Sequence, residues 1–251
     1  MVGGRSSVMR EGVSEYIDPM LDRLMQGFAA TLPGQCAVCH AWPAQPVCEA
    51  CVARFAQPHA RCRRCALPVP SGVADCGQCL GAPPHLDECH AAVSYEFPWS
   101  ALIAQYKFNG QAGWARSFAT LMRSTPWVEP ALDQADLVLP MPLSRQRLAE
   151  RGFNQALLLA RALAPGKTEA HLLLRIRHTA AQTALDRDDR LGNVKGAFAV
   201  DPQMDSKLRG RRVVLVDDVM TSGASLFTAA QALRQAGAAW ITGLVLARTG
   251  R

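Results

Sequence analysis

Aromatic residues are scarce in this 251-residue chain, at eight Phe, five Trp and three Tyr, or 6% of the whole. A surface that stacks successive nucleobases needs aromatic side chains interleaved with basic ones, and no such stretch occurs. Long apolar runs are missing as well. None approaches the roughly 18 residues of a membrane span, so no membrane insertion is expected. The opening MVGGRSSVMREG lacks the apolar core of a signal peptide, and the expected location is the cytoplasm. There is no low-complexity tract, no repeat beyond paired cysteines, and no cysteine after Cys89.

What is present supports a folded protein. Hydrophobic residues make up 49% and charged residues 19%, a balance that suits a packed core. The formal charge of +6 is as compatible with a nucleic acid as with a small polyanion. Residues 1–31 carry a weak helical spacing through Ile17, Leu21, Leu24, Met25 and Phe28, read as a leader helix. Residues 32–88 are rich in Cys, Pro and Gly and cannot build a sizeable apolar core, so they need a staple.

That staple is written in the cysteines. All nine fall between Cys36 and Cys89, and eight form the C-x-x-C pairs Cys36/Cys39, Cys48/Cys51, Cys62/Cys65 and Cys76/Cys79. In a reducing compartment such thiols are metal ligands rather than disulfides. A C-x-x-C knuckle lets two thiolates reach one ion, and two knuckles complete a tetrahedral four-thiolate site that suits zinc. Eight ligands make two structural zinc sites. Sequential pairing of the knuckles is the simpler arrangement, with interleaving also open. Cys36-Ala-Val-Cys39-His40 matches a haem-attachment pattern, but that chemistry needs export. The zinc deaminase pattern fails for want of an H-x-E, and a redox dithiol remains a lesser alternative for one pair. Cys89, beside Ala91–Val93, reads as a small buried hydrophobe.

From about residue 89 short apolar runs alternate with helical patterns. Leu137–Leu139 predicts a strand ending at Pro140. Asn154 caps a helix over 155–164 that Pro165 stops. Val213–Val216 predicts a buried strand, 225–236 a helix stopped by Gly237, and Ile241–Ala247 a further strand. Strand and helix in short alternation imply a parallel α/β sheet with right-handed crossovers.

The most informative stretch is Val213-Val-Leu-Val-Asp217-Asp218-Val-Met-Thr221-Ser222-Gly223-Ala224-Ser225. A buried strand is expected to end at two carboxylates, followed by a hydroxyl-rich turn and a helix start. The free N–H groups and positive dipole end of that helix favour phosphate. Gly223 lets the backbone close on the anion, and Thr221, Ser222 and Ser225 add hydroxyls. The carboxylates are placed to accept hydrogen bonds from ribose hydroxyls, as an acidic residue does in dinucleotide folds. The bland alternative is a capped helix with a solvated Asp217.

This stretch resembles the 5-phosphoribosyl 1-pyrophosphate (PRPP) signature of type I phosphoribosyltransferases. Leu139–Arg145, Arg147, Arg151-Gly-Phe-Asn-Gln155, Arg175, Thr179, Gln182, Leu185, Arg190, Asn193, Gly196-Ala-Phe198 and Gly237-Ala238 extend the likeness. Over about Leu32 to Arg248 the chain resembles the ComF family, whose members include competence-associated proteins. The resemblance implies a double zinc ribbon at 32–88 and, at 89–251, a phosphoribosyltransferase-like parallel sheet flanked by helices. It implies that Asp217 and Asp218 hold the ribose 2′ and 3′ hydroxyls and that Thr221, Ser222, Gly223, Ala224 and Ser225 cradle the 5′-phosphate. It matches Pro140, Met141, Pro142, Leu143, Ser144 and Arg145 to a pyrophosphate loop, and 175–190 to a mobile lid, with Arg145, Arg177 and Arg190 as charge-stabilising catalytic groups. Lys107 falls in the region that hoods the site, with no role assigned. The implied reaction displaces pyrophosphate, with Mg²⁺ on the leaving group, by an unidentified acceptor. A non-catalytic PRPP-binding competence factor that handles single-stranded DNA, with a protein partner in the competence machinery, is one alternative. A zinc-ribbon interaction module is the other. Leu163–Thr168 ends like a Walker loop but has Arg161 where glycine is required.

Overall fold

The computed structural model describes residues 34–176 and 196–250. The leader pattern at 17–28 and the Thr179, Gln182, Leu185 and Asn193 positions lie outside the described residues. The chain divides into two compact units, Met1–Pro46 and Val47–Arg251.

In the first unit a tight turn carries Cys36 and Cys39. The Cys36 N–H donates to Ala41 O at 2.9 Å and the His40 N–H to Cys36 O at 2.9 Å, with His40 left-handed at φ 60°. The second unit repeats this device at Cys62 and Cys65. There the Cys62 N–H donates to Leu67 O at 2.7 Å, the Ala66 N–H donates to Cys62 O at 2.8 Å, and Ala66 has φ 53°. The other two cysteine pairs open short helices. Cys48 precedes α1 (Glu49–Phe55) and Cys76 precedes α2 (Gly77–Gly81), each in the N-cap position.

The rest of the second unit runs β1 (Glu88–Ser94), α3 (Trp99–Phe108), α4 (Trp114–Arg123), α5 (Val128–Gln134), β2 (Leu137–Pro140), α6 (Arg145–Arg151) and α7 (Gln155–Leu163). It continues through β3 (Leu173–Arg175), β4 (Phe198–Val200), β5 (Arg212–Met220), α8 (Ala224–Gln235) and β6 (Trp240–Arg248). Four strands form one parallel sheet in the order β1-β6-β5-β2, and β3 pairs with β4 antiparallel. The expected α/β class and the strands at 137–140 and 241–247 are therefore present, β6 being one residue longer at each end.

Period-two alternation sorts the central strand between two layers. Val213 and Leu215 join Ile241 and Val245 beneath Leu226, Ala229, Ala230 and Leu233 of α8. Val214 and Val216 point the other way and are equally buried. α7 packs on β2 and β5, and its first turn is fixed by Asn154, whose side chain accepts from the Leu157 N–H at 3.3 Å. Cys62, Cys65, Cys76, Cys79 and Cys89 belong to the same apolar cluster as β5 and α8. Cys89 is thus a core residue.

One expectation needs correction. The central strand does not end at Asp217. It runs on to Met220, because β6 is long enough to continue the ladder, with Asp217 opposite Val245 and Met220 opposite Arg248. On its other side β5 loses its neighbour at Val216, opposite Pro140.

Leu215 is fully buried at the centre of the sheet. Leu215→Ala should lower the unfolding free energy by about 2–5 kcal/mol, read from urea denaturation; a shift below about 1 kcal/mol would mean the core is not centred there.

Candidate functional site

Where β2 stops and β5 continues, a crevice opens. The chain leaving β2 and the chain leaving β5 part there, which is where open α/β sheets bind ligands. A cavity of about 620 Å³ occupies it. Asp217, Asp218, Thr221, Gly223, Ala224 and Ser225 line one side, and Met141, Pro142 and Leu143 another. Gly223 is required on two counts: its φ is +82°, and a Cβ there would lie 2.5 Å from Met220 Cε and 2.6 Å from Phe227 Cζ. The turn brings Gly223, Ala224 and Ser225, at the start of α8, into the cavity lining, and Ser222 Oγ accepts from the Ala224 N–H at 3.4 Å.

The cationic wall differs in part from the expectation. Arg147, Arg151 and Arg175 line the cavity, and Arg145, exposed in the first turn of α6, does not. Ser144 caps α6, accepting from the Arg147 N–H at 3.3 Å. Arg175 closes β3 with its guanidinium 5.4 Å from the Phe198 ring. Arg177 and Arg190 lie outside the described residues.

Lys107, unassigned from sequence, has a definite place. Its Nζ lies 2.8 Å from Asp218 Oδ1, with both side chains largely buried. Gln155 fixes that arrangement. Its backbone oxygen accepts from the Tyr106 hydroxyl at 2.8 Å, its Nε2 donates to Lys107 O at 3.4 Å, and its Oε1 accepts from Arg151 at 3.1 Å. Asn154 Nδ2 donates to Met141 O at 3.1 Å and holds the loop after β2 against α7. The Arg151–Gln155 motif therefore anchors the end of α3 and the β2 loop together.

Burial pushes the Asp217 carboxyl up to about 7; the Asp218 charge adds to this, and Lys107 opposes it. Burial, with the Asp218 charge behind it, raises the Tyr106 hydroxyl above its usual range. Burial, then Arg147, lowers Arg175, against the pull of Asp217.

Cys36 and Cys39 lie in the first unit and Cys48 and Cys51 in the second. Within the second unit the third and fourth cysteine pairs come together: the Cys62, Cys65, Cys76 and Cys79 sulfurs all lie within 4.8 Å of one another, a group that fits a metal ion, and Cys65 Sγ is 3.7 Å from Cys76 Sγ. Tetrahedral zinc with Zn–S of about 2.3 Å asks for sulfurs about 3.8 Å apart. The Cys76 N–H donates to Cys62 Sγ at 3.2 Å, the kind of bond that stabilises a thiolate. Burial raises Cys65 to about 11. At Cys76 burial is outweighed by hydrogen bonds from the Cys79 backbone and neighbouring thiols, which hold it down at about 7.

Sheet and crevice define a phosphoribosyltransferase-type α/β domain beside a cysteine-rich segment whose thiols could hold a metal, and a phosphoribosyl transferase domain family matches residues 150–251. The DNA utilization protein YhgH of Salmonella typhimurium is 32% identical over 233 residues, covering 87% of this chain and 99% of that protein. Competence protein F of Haemophilus influenzae is 32% identical over 182 residues, covering 70% of this chain and 79% of that one. The chain belongs to the ComF family. Among solved structures, the allosteric regulatory enzyme of purine biosynthesis aligns over 54% of this chain at 19% identity and a TM-score of 0.34; the chain spans a quarter of that protein's length. Among the described residues no helix is long and apolar enough to cross a membrane.

Asp217 binds its proton more tightly in the folded chain than in the unfolded one, whose carboxyl titrates near 4. Its ionisation therefore removes stability as pH rises from about 4 to about 7. Asp217→Asn should raise the melting temperature at pH 8 and leave it nearly unchanged at pH 4; an equal effect at both would contradict a raised carboxyl.

Proposed function

We propose that this chain binds PRPP in the crevice at the end of β5 and acts as a phosphoribosyltransferase. The observation that supports this is the meeting of an acidic pair, a left-handed glycine turn at a helix start and three arginines around one 620 Å³ cavity. In this reading Asp217 and Asp218 accept hydrogen bonds from the ribose 2′ and 3′ hydroxyls. The turn from Thr221 to Ser225 cradles the 5′-phosphate, and the loop from Pro140 to Arg145 faces the pyrophosphate. Arg147, Arg151 and Arg175 join Arg145, Arg177 and Arg190 as candidates to stabilise its charge, and guanidinium suits bidentate phosphate contacts. A new bond forms from the acceptor to ribose C1 while the bond from C1 to pyrophosphate oxygen breaks, the leaving group taking the electron pair. Positive charge beside it is the main aid the chain can give, with Mg²⁺ neutralising the pyrophosphate when bound. Lys107 holds Asp218 until the ribose arrives.

The module at 32–88 is a double zinc ribbon on this reading, with 89–251 as the transferase-like domain, and the protein works in the cytoplasm. The names of the relatives, DNA utilization and competence, support a second reading. In it a PRPP-binding factor handles single-stranded DNA without turnover, alongside a competence-machinery protein. A zinc-ribbon interaction module is the third.

Titration with PRPP, with and without Mg²⁺, while heat and pyrophosphate are followed together, separates these. Binding with pyrophosphate release on adding an acceptor is the expected result. Binding without release favours the second reading, and no binding overturns the PRPP assignment. Asp217→Asn with Asp218→Asn should abolish most of the affinity and keep the fold.

Elemental analysis should find about two zinc ions per chain, by the four-thiolate rule. Cys62→Ser should leave about one; a folded wild-type chain without zinc would refute the metal assignment.

A further inference from the structure

Arg248 is the last residue of β6 and is only 5% exposed. A guanidinium in such a place needs most of its donors satisfied. Its Nε donates to Cys65 O at 2.9 Å. One terminal nitrogen donates to Met220 O at 3.3 Å, to Thr221 O, and to Thr249 O at 2.7 Å. Cys65 belongs to the Cys62/Cys65/Cys76/Cys79 group, and Thr221 opens the turn that delivers the start of α8. One planar fork therefore holds both loops, and its rigidity fixes their spacing.

A second line of contacts runs beside it. The Cys89 N–H donates to Arg63 O, between Cys62 and Cys65, at 2.7 Å. Cys89 Sγ lies 3.8 Å from Met220 Sδ. Met220 in turn presses on Gly223, its Cε filling the space that a side chain at that position would need. Charge points the same way. Two guanidiniums stand beside this thiol group: Arg248 on the Cys65 carbonyl, and Arg61, which donates to Ala66 O at 3.1 Å and is depressed by burial and then by Arg248, against Cys89 and Glu96. Four thiolates around a divalent ion carry a net charge of about −2.

We propose that Arg248 is a positioning residue that clamps the Cys62/Cys65/Cys76/Cys79 group to the phosphate turn, so that metal binding at the first and anion binding at the second favour each other. The anion half rests on the PRPP reading above. Coupling between two sites is reciprocal: whatever metal binding adds to PRPP affinity, PRPP adds to metal affinity. A metal held by the four thiols would order the Cys65 carbonyl, and Arg248, which bonds both Cys65 O and Thr221 O, would carry that order to the turn.

The test is amide hydrogen exchange on the full, zinc-loaded chain, read by mass spectrometry, with zinc release followed by a chromogenic chelator. Arg248→Gln keeps part of the hydrogen bonding but loses the charge and the fork. It should speed exchange at 219–226 and at 62–66 and release zinc about tenfold faster, within the range typical of coupled sites. PRPP should bind about tenfold more weakly and slow zinc release in the wild type only. Unchanged exchange and zinc release would overturn the proposal. Should the variant not fold, chelation of the wild-type chain decides: faster exchange at 219–226 with α4 unchanged supports the clamp, while uniform change, or none, overturns it. If the wild type binds no PRPP, the functional reading falls, and exchange and zinc release still decide the clamp.

Discussion

The unequal reach of two strands governs this molecule. β5 pairs with β6 as far as Met220 but with β2 only as far as Val216. Parallel pairing satisfies both edges of a central strand while both neighbours last. Past Val216 one edge is open, and the backbone there carries Asp217 and Asp218. Had β2 continued, the crevice would be closed by ladder hydrogen bonds and side chains. Because it turns away at Pro140, its exit loop and the turn after β5 can face each other across a ligand.

The charges in that opening are held by backbone geometry and buried hydrogen bonds. Asp218 Oδ1 accepts from the Val219 N–H at 2.6 Å and from Lys107 Nζ at 2.8 Å. Lys107 is held in turn by α3, whose final turn is pinned by Gln155. Gln155 is 1% exposed and uses its backbone oxygen and both side-chain polar atoms. A buried polar side chain with every group occupied rigidifies what it touches. The acidic pair thus faces a cation fixed from outside the sheet.

Much of this was legible in the chain itself, for physical reasons. The Cys62/Cys65/Cys76/Cys79 group could be read because C-x-x-C spacing is local, and the meeting of its two pairs follows from a short connection. The strand–turn–helix from Val213 onward could be read because Val213–Val216, Gly223 and the apolar face of α8 are each short-range signals. The length of β5 could not: Asp217 and Asp218 look like a strand's end, and only pairing with β6 makes them part of a strand. Nor could the partnership of Lys107 and Asp218, or the ties from Gln155, since they join distant segments and no periodicity encodes them. The arginines divided on similar grounds. Arg145 and Arg147 sit on one helix, and helical rotation alone brings the second of them, not the first, to the cavity.

That four-thiol group is not a peripheral finger. Its cysteines share one apolar cluster with Leu215, Met220 and the buried face of α8. In a small appended module, loss of metal would leave the remaining domain standing. Here it would open a sulfur-lined flaw in the main core, and a core flaw of a few kcal/mol is enough to expose a chain to proteases. With zinc in that group, as proposed above, a cell starved of the metal would hold less of this protein, not the same amount of an idle form.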